Sequence, residues 1–395
     1  MIQRAAIVIA ELRPGGAERV VTHLAGTLPR LGVQPLVICL QGKGQLAGDL
    51  EARGVPVEAL GSMKGYDLGA ILRLGLLLRR FGPDVINVHD RSSLPYVVLA
   101  NWLARRRPIV YTAHGLMFGE AIGQPRRLHR WASERLSAIT AVSDEVAQRH
   151  ARHLSWPHGV EVVPNGVPDI VRNDAHRQAI RAELGIGPRT FVFLAMGNAR
   201  AEKGFEDLLE AAALLRAPAG RPFACLIVGG MSQSEYCNDL RQRHQRLGLD
   251  GTVRFLGFRQ DVEAMYSAAD AFVLSSRSEG LPMVVLESMM AGLPVIGTRV
   301  GGVPTALDQE HGLLAEPASP GSLAEAMRKL MNDDALCQAL GRNGRGRAME
   351  RYGVERMTRR YLDVFEQVAL TPRPGLRRRR QSNETSNPDT AGTPS

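Results

Sequence analysis

This chain lacks several features that mark common protein classes. It has no C-x-x-C pair and no cysteine with a histidine at zinc spacing, which argues against disulfide scaffolds and zinc modules and for reduced thiols in the cytosol. No apolar run approaches the roughly 18 residues that would predict a membrane span. The first apolar stretch is followed at once by Glu11, unlike a signal peptide, and not by G-x-G-x-x-G, which counts against a dinucleotide-dependent dehydrogenase. The scattered cysteines are Cys39, Cys225, Cys237 and Cys337.

The composition that remains is that of an ordinary globular protein. A chain of 395 residues, with 44% hydrophobic and 23% charged residues, predicts two domains. The net charge of +9 is unevenly placed, because the five arginines of residues 371–395 contribute +3 after their acidic neighbours are counted, which leaves +6 on the body. This positive net charge favours binding to an anionic surface, a phosphorylated ligand or nucleic acid. Residues 371–395 are almost devoid of apolar side chains, and we expect a disordered tail there.

Short apolar strands alternate with helical patterns along the body, which predicts an α/β protein with parallel sheets. Two series of strands are separated by residues 164–188, a segment rich in Pro, Gly, Asn and Asp that predicts a linker. We therefore expect one domain at 1–165 and another at 166–353. The predicted strands are residues 5–10, 36–40, 85–88, 109–112 and 138–142 in the first series, and 190–195, 224–228, 253–256, 271–274 and 294–297 in the second.

Two carboxylates, Glu279 and Glu287, bracket the most informative segment, S-E-G-L-P-M-V-V-L-E-S at 278–288. Pro282 is suited to open a helix because the first helical position needs no N–H, and a helix N-terminus offers unpaired amides and partial positive charge to phosphate or sugar oxygens. In a continuous helix the two Glu would lie about 12 Å apart along the axis. Glycosidases hold their two carboxylates at roughly 5–9.5 Å. The spacing better fits the two ends of one extended ligand, such as the sugar and the ribose of a sugar nucleotide.

Further motifs surround this segment in a fixed order. They are G-G-A-E at 15–18, V-P-N-G-V at 163–167, K-G at 203–204, V-R-F-L-G at 253–257, A-A-D-A-F-V-L-S at 268–275, A-G-L-P-V-I-G-T at 291–298, G-G-V-P at 301–304 and H-G-L-L-A-E-P at 311–317. Together with the segment at 278–288 they resemble the retaining glycosyltransferases of family 4, over roughly residues 2–368. The resemblance implies the GT-B fold, in which two Rossmann-like domains face each other across a cleft and a last helix, here 354–369, packs back on the first domain.

The resemblance also implies roles for the residues of the central segment. Glu279 would contact the hydroxyls of the donor sugar at the transfer site, and Glu287 would contact those of the ribose. Five consecutive residues would present their backbone to the sugar and the phosphates: Gly280, Leu281, Pro282, Met283 and Val284.

Cationic side chains, and backbone that approaches closely at glycines, would hold the diphosphate. Lys203 and Arg200 follow the first strand of the second domain, and strand C-termini are where ligands bind in open α/β sheets. Many relatives carry an arginine where this chain has Asn198, and Arg200, two residues on, is the candidate replacement. From the other domain, Gly15 and Gly16 would approach the same diphosphate, since glycine lets the backbone come close.

The remaining candidates lie at other strand ends. His114 matches the family's cleft histidine, which contacts the donor sugar near the reaction centre. His89 and Asp90 are candidates for acceptor contacts, and Phe258 and Arg259 would frame the nucleobase. The residues assigned to catalysis are His114, Glu279, Lys203 and Arg200.

We predict catalysis without a metal ion or another cofactor. No D-x-D occurs in the chain, and transferases that hold a donor through a divalent cation usually need such a pair. Lys203, Arg200 and helix N-termini would replace the cation. The implied reaction is the front-face transfer of a hexose, with retention of configuration, from a UDP-linked donor to a cell-surface polysaccharide, a lipopolysaccharide or a lipid-linked glycan.

Three basic, apolar segments of the first domain leave the location of the protein open. Helices that mix Arg with Trp and Leu lie at anionic bilayer surfaces, but core-packing helices with a basic polar face share this pattern. We expect a cytoplasmic protein, with the inner face of the cytoplasmic membrane as the open alternative. The segments are residues 71–80, 102–107 and 125–131.

Three other functions stay open on sequence alone. A phosphorylase of similar fold would need pyridoxal phosphate, for which no sequence mark exists. A basic nucleic-acid binder would act through the arginines of 371–395, although nucleic acid is not the partner we expect. A catalytically silent partner subunit is disfavoured because Glu279, Glu287 and Lys203 are all present.

Overall fold

The computed structural model describes residues 1–63, 67–115, 126–154, 156–216 and 221–370. They form two parallel β-sheets covered by helices, which confirms the predicted α/β class. The tail predicted as disordered at 371–395, and residue 125 of the third basic segment, lie outside the described residues. Each helix in the described part of the chain is too short or too polar to cross a membrane.

The first sheet comprises β1 (Arg4–Ile9), β2 (Gln34–Cys39), β3 (Val57–Ala59), β4 (Val85–Val88), β5 (Ile109–Ala113), β6 (Ala138–Ala141) and β7 (Glu161–Val162). Their spatial order is β3-β2-β1-β4-β5-β6-β7, and all neighbours are parallel. The inner strands read as continuous Val/Ile runs because helices cover both faces of a parallel sheet. The sequence does not predict β3 and β7, since strands of three and two residues carry too little pattern.

The helices of the first half are α1 (Gly16–Thr27), α2 (Ala47–Ala52), α3 (Leu68–Phe81), α4 (Leu94–Ala100), α5 (Arg126–Ser133) and α6 (Asp144–Leu154). Helix α1 directly follows Gly15 of the glycine-rich motif and is itself followed by a 3₁₀ turn at Leu28–Leu31. Asp67 begins α3 by accepting a hydrogen bond from the Ala70 N–H at 2.9 Å, and Gly82 ends it in the left-handed conformation (φ 64°). Both ends of α3 are therefore fixed by local sequence.

The second sheet comprises β8 (Phe191–Met196), β9 (Phe223–Val228), β10 (Val253–Gly257), β11 (Ala271–Leu274), β12 (Val295–Thr298) and β13 (Leu313–Ala315). Their order is β10-β9-β8-β11-β12-β13, again with parallel neighbours. The sequence predicts five of these strands, and β13 falls inside the motif at 311–317.

The remaining helices are α7 (Asp174–Glu183), α8 (Phe205–Leu215), α9 (Glu235–Arg246), α10 (Val262–Ala268), α11 (Met283–Met290), α12 (Val303–Ala306), α13 (Pro320–Asn332), α14 (Asp334–Arg351) and α15 (Val354–Leu370), with a 3₁₀ turn at Ala201–Lys203.

The predicted linker at 164–188 is wrong over α7, which occupies its centre. Asn173 caps this helix by accepting hydrogen bonds from the N–H groups of Ala175 and His176. Arg181 then ties it to the second sheet, donating to a carboxylate oxygen of Asp270 at 2.6 Å and to the carbonyl of Ala268 at 3.0 Å. These tertiary contacts stabilise a segment whose composition alone indicates a loop.

The last helix returns to the first sheet. The chain passes from the first half to the second near Val167 and returns near Gly353, and these two residues form a parallel β-bridge. Helix α15 then packs against α1. A side chain at Gly166 would come within 2.8 Å of the Cα of Val354, so the crossing needs glycine there. Tyr361 of α15 is buried and its ring lies 6.1 Å from that of His89.

Candidate active site

The carboxyl ends of the two sheets face each other and touch. His89 and His114 follow β4 and β5 of the first sheet, while Lys203 and Glu279 follow β8 and β11 of the second. A Cβ atom placed on Gly280 would lie 2.1 Å from the carbonyl oxygen of His114, so the two backbones meet directly at this point. The arrangement places the sequence-predicted residues of both halves around one cleft, at the strand ends where open α/β sheets bind ligands.

A charged pair lies on the second-sheet side of the cleft. Lys203 Nζ lies 2.6 Å from Glu279 Oε1, and both side chains are mostly buried. Ser276 Oγ donates to the same carboxylate oxygen at 2.6 Å, and Ser275 Oγ donates to the Lys203 carbonyl at 2.9 Å. The aliphatic part of Lys203 passes 3.3 Å from the Cβ position of Gly197 (φ 153°), which a larger residue would obstruct. The ammonium and the carboxylate are thus held side by side and aimed into the cleft.

The segment after Glu279 delivers a helix N-terminus to the same place. The helix α11 begins at Met283, so Pro282 is its N-cap residue rather than its first helical residue, and Glu279 lies outside it. Helical geometry leaves the N–H groups of Met283 and Val284 without acceptors inside the helix. Gly301 (φ 54°) packs directly against this loop, because a Cβ atom there would lie 2.0 Å from the Glu279 carbonyl oxygen.

Glu287 is buried and bridges the two halves of the protein. Arg19 Nη1, from α1 of the first half, lies 2.5 Å from Glu287 Oε1, and the Tyr266 hydroxyl donates to Oε2 at 2.8 Å. The charge of Glu287 raises the pKa of Arg19, and burial raises the pKa of Tyr266 well above its ordinary value, so both remain donors. The sequence motifs indicate neither Arg19 nor Tyr266 as a partner of Glu287. The one available signal is that Arg19 lies one turn after Gly15.

Asn87, His89 and His114 form a chain of hydrogen bonds that fixes both imidazoles. The Asn87 amide nitrogen donates to the carbonyl of Val110, so its oxygen faces His89 and accepts from Nε2–H at 2.6 Å. A neutral His89 then accepts at Nδ1, and His114 donates to it from Nε2–H at 2.9 Å. His114 Nδ1 consequently carries a lone pair. His89 therefore positions His114, a role the sequence does not reveal.

Burial of these histidines predicts a specific pH dependence of stability. Burial lowers the pKa of His114 from its ordinary 6.5 to about 3, and it lowers the pKa of His89 well below 6.5, with the charge of His114 adding to the effect. The unfolded chain takes up protons at these sites below pH 6.5 and the folded protein does not. The free energy of unfolding should therefore fall as the pH drops from 6.5 towards 3, by up to about 1.4 kcal/mol per pH unit for each histidine.

Urea unfolding between about pH 7 and about pH 5 measures this slope. The variant His114→Gln cannot titrate at that position and should lose a measurable part of it. An identical slope in the variant would contradict the assignment.

Arg200, Gly15 and Gly16 lie at the rim of the cleft. The Arg200 side chain is 68% exposed and lies 3.8 Å from Glu202, whereas Asn198 accepts a hydrogen bond from the Gly230 N–H. Gly15 is extended (φ −165°), and Glu18 folds back over it. Burial raises the pKa of Glu18, and Arg200, from the other half, is among the charges acting on it.

Phe258 and Arg259 follow β10 and are placed differently. Phe258 is exposed, whereas the Arg259 guanidinium pairs with Glu183 at 2.6 Å and Asp261 at 2.5 Å. Its donors are thus directed to α7 and the start of α10, so the structure does not bring Arg259 into the group around Lys203. In the described residues, no three His, Cys, Asp or Glu side chains are grouped so as to hold a metal ion.

Comparison with known proteins agrees with this geometry. Residues 14–169 match the model of glycosyltransferase family 4, and residues 176–347 match that of the group 1 glycosyl transferases. The chain is 32% identical to a D-inositol 3-phosphate glycosyltransferase of Saccharomonospora viridis, an alignment covering 82% of this chain and 88% of that one. The chain belongs to the group 1, family 4 glycosyltransferases.

Other relatives of this glycosyltransferase extend the comparison. It is 28% identical to the lipopolysaccharide core biosynthesis glycosyltransferase LpsE of Rhizobium meliloti, over 89% of this chain and 96% of that one. Its fold resembles that of Alr3699/HepE of Anabaena, solved in complex with UDP and glucose, with a TM-score of 0.81 and 22% identity over 92% of this chain and all of that one. The predicted GT-B fold is thereby confirmed.

Proposed function

We propose that this glycosyltransferase moves a sugar from a UDP-linked donor to a glycan acceptor, with retention of configuration and without a metal ion. The observation that carries the proposal is the Lys203–Glu279 pair, held beside the N-terminus of α11 and opposite His114. A single cleft thus holds one cation, one carboxylate and unpaired backbone amides. The cation and the amides suit the diphosphate of a nucleotide sugar and the negative charge that develops on it as the bond breaks, and the carboxylate suits the hydroxyl groups of the sugar ring.

The donor would lie along the second sheet. The Lys203 ammonium and the amides of Met283 and Val284 would hold the diphosphate, with the glycine loop at 15–16 closing over it from the first half. Glu287 would accept from the ribose hydroxyls, sharing oxygens that also accept from Arg19 and Tyr266, since each carboxylate oxygen has two lone pairs. The sugar would then lie between Glu279 and His114.

Transfer on one face of the sugar accounts for retention. The bond between the anomeric carbon and the β-phosphate oxygen breaks, and the acceptor oxygen forms its bond to that carbon from the same side. The acceptor proton passes to the departing phosphate oxygen, and the electron pair of the broken bond stays on the diphosphate. Lys203 and the helix amides stabilise that negative charge, and Glu279 and His114 Nδ1 orient the sugar hydroxyls.

The name of the Rhizobium relative supports an acceptor in lipopolysaccharide assembly, and the Saccharomonospora relative acts on a small inositol phosphate. We favour a lipid-linked or lipopolysaccharide acceptor, because the surface described in the next subsection lies on the half of the protein that would bind it.

Calorimetric titration with UDP, GDP and ADP in the presence of EDTA tests the donor site. We expect micromolar binding of UDP, at least about tenfold tighter than of the other two, and less than about twofold change when Mg²⁺ replaces EDTA. Transfer from the matching UDP-sugar should give a product whose anomeric proton coupling, measured by NMR, equals that of the donor.

Three results would count against the proposal. Failure of all three nucleotides to bind would exclude the metal-free donor site. Binding that requires Mg²⁺ would exclude metal independence alone. Binding of UDP without transfer or donor hydrolysis would point to a catalytically silent subunit.

A further inference from the structure

Helix α3 exposes a row of leucines. Leu68, Leu72 and Leu76 are 77%, 54% and 55% exposed. Their spacing of four residues places them one above another on the same face of the helix. The helix already buries Ala70, Leu74 and Leu78 against the core, so the exposed leucines form a second apolar face that packing of the domain does not use. A monomeric soluble protein rarely leaves such a continuous row in water.

The segment after α4 extends this face. Trp102 is 61% exposed and Leu103 is partly exposed. A Cβ atom on Gly75 of α3 would lie 2.6 Å from Leu103 Cδ1, so the two segments are in direct contact. Together they form one surface, here called the leucine–arginine surface, which consists of Leu68, Leu72, Leu76, Trp102 and Leu103 with Arg79, Arg80, Arg105 and Arg106 around them.

The charges on this surface have one sign. Residues 68–81 and 94–107 contain six arginines and no aspartate or glutamate. Arg73 pairs with Asp67 just outside the helix, at 3.4 Å, whereas Arg79 and Arg80 are exposed at its end. The guanidinium of Arg106 lies over the Trp102 ring, 4.6 Å from its centroid.

The turn that carries these arginines is held in an unusual conformation. Arg105 and Arg106 have φ of 61° and 56°, the left-handed region that non-glycine residues rarely adopt. Asn101 maintains the turn: its side chain accepts from the Arg107 N–H at 2.8 Å and donates to the Arg107 carbonyl at 2.8 Å, and its carbonyl accepts from the Arg106 N–H. This unfavourable backbone conformation keeps Arg105 and Arg106 beside the exposed Trp102.

We propose that the leucine–arginine surface binds an anionic lipid bilayer. Leucines and tryptophan would enter the acyl and headgroup boundary, and the arginines would meet the phosphates at its edge. The other available occupants carry the wrong charge. The chain's own segment 371–395 has a net charge of +3, and a second copy would bring an equally basic surface against this one.

The surface extends along the whole length of α3. Leu68 begins this helix at the carboxyl ends of the strands, where the cleft lies, whereas Arg79, Arg80 and the turn of Arg105 and Arg106 directly precede β4 and β5 and lie at the amino ends. Docking through this surface would hold the first half of the protein against the bilayer. The binding itself does not depend on the donor chemistry proposed above, so either proposal can fail alone.

Sedimentation of the full-length protein with vesicles tests the inference. Vesicles of phosphatidylglycerol and phosphatidylcholine should pull the protein down at low salt, and pure phosphatidylcholine vesicles should bind it at least about tenfold more weakly. The triple variant Leu68→Gln, Leu72→Gln, Leu76→Gln should lose at least about tenfold in partitioning onto anionic vesicles. The double variant Arg79→Gln, Arg80→Gln should lose a similar factor and most of the salt dependence.

Matched controls lie on the second half of the protein. Leu214→Gln removes an equally exposed leucine from α8, and the pair Arg241→Gln, Arg246→Gln removes two exposed arginines from α9. All variants should keep wild-type UDP binding and unfolding midpoint. The proposal fails if the wild type stays in the supernatant, if the α3 variants and the controls bind vesicles alike, or if the triple variant abolishes a dimer seen by light scattering rather than vesicle binding.

Discussion

Replacing Lys203 with alanine is expected to lower kcat by about 10³-fold, the largest effect of any single side chain in the cleft. The ammonium is the cation closest to the Glu279 carboxylate, and it is mostly buried, so solvent cannot replace its charge when the diphosphate leaves. Removing it also leaves Glu279 with Ser276 as its remaining hydrogen-bond partner in the described structure. Initial rates with the UDP-sugar identified by calorimetry measure the loss.

Two further variants separate charge from shape. Lys203→Met fills the same space without charge and should be as inactive as the alanine variant. Lys329→Ala removes an exposed lysine of α13 and should leave the rate unchanged. Substantial activity in Lys203→Met, at a wild-type unfolding midpoint, would show that the ammonium does not stabilise the leaving diphosphate.

Gly280→Ala is expected to lower kcat by about 10²-fold while changing UDP affinity less than about threefold, because reacting groups displaced by about 1 Å lose that much rate. The added methyl would sit 2.1 Å from the His114 carbonyl, and neither backbone can yield without the two sheets moving apart. In our proposal most UDP contacts come from the second half, through Lys203, Glu287 and the α11 amides, and the first half adds the glycine loop at 15–16, so most of the UDP affinity should survive a separation that stops transfer. Small-angle scattering should show a larger radius of gyration.

Gly346→Ala, a helical position of α14 where an added Cβ meets no described atom within 4 Å, is the matched control and should be neutral. An active Gly280→Ala enzyme would show that the contact between Gly280 and His114 is not part of the reacting geometry.

The sequence predicts those features that depend on short stretches of chain. Runs such as residues 191–196 reveal buried parallel strands by composition alone, and glycine-rich motifs at strand ends reveal where ligands approach. By contrast, α7 was hidden by polar composition, because its stability comes from Arg181 reaching Asp270, 89 residues away.

The candidate site divides in the same way. Lys203 and Glu279 are indicated by local motifs, but the partner of Glu287 is Arg19, 268 residues earlier, and no local pattern specifies such a pair. The orientation of His114 likewise depends on Asn87 and His89 reaching it from a neighbouring strand. Arg259 is a further case, since no local pattern specifies that its guanidinium pairs with Glu183, 76 residues earlier.

The return of the chain through Val167 and Gly353 has a consequence for protein engineering. Because α15 packs on α1, the first half is assembled from two separate stretches of sequence, residues 4–166 and 354–370. An exchange of halves between relatives, made to combine one donor preference with another acceptor preference, would have to transplant both stretches together. A chimera joined only near residue 166 would pair a foreign α1 with a native α15, and the mismatch would fall on the surface that carries Tyr361 against His89.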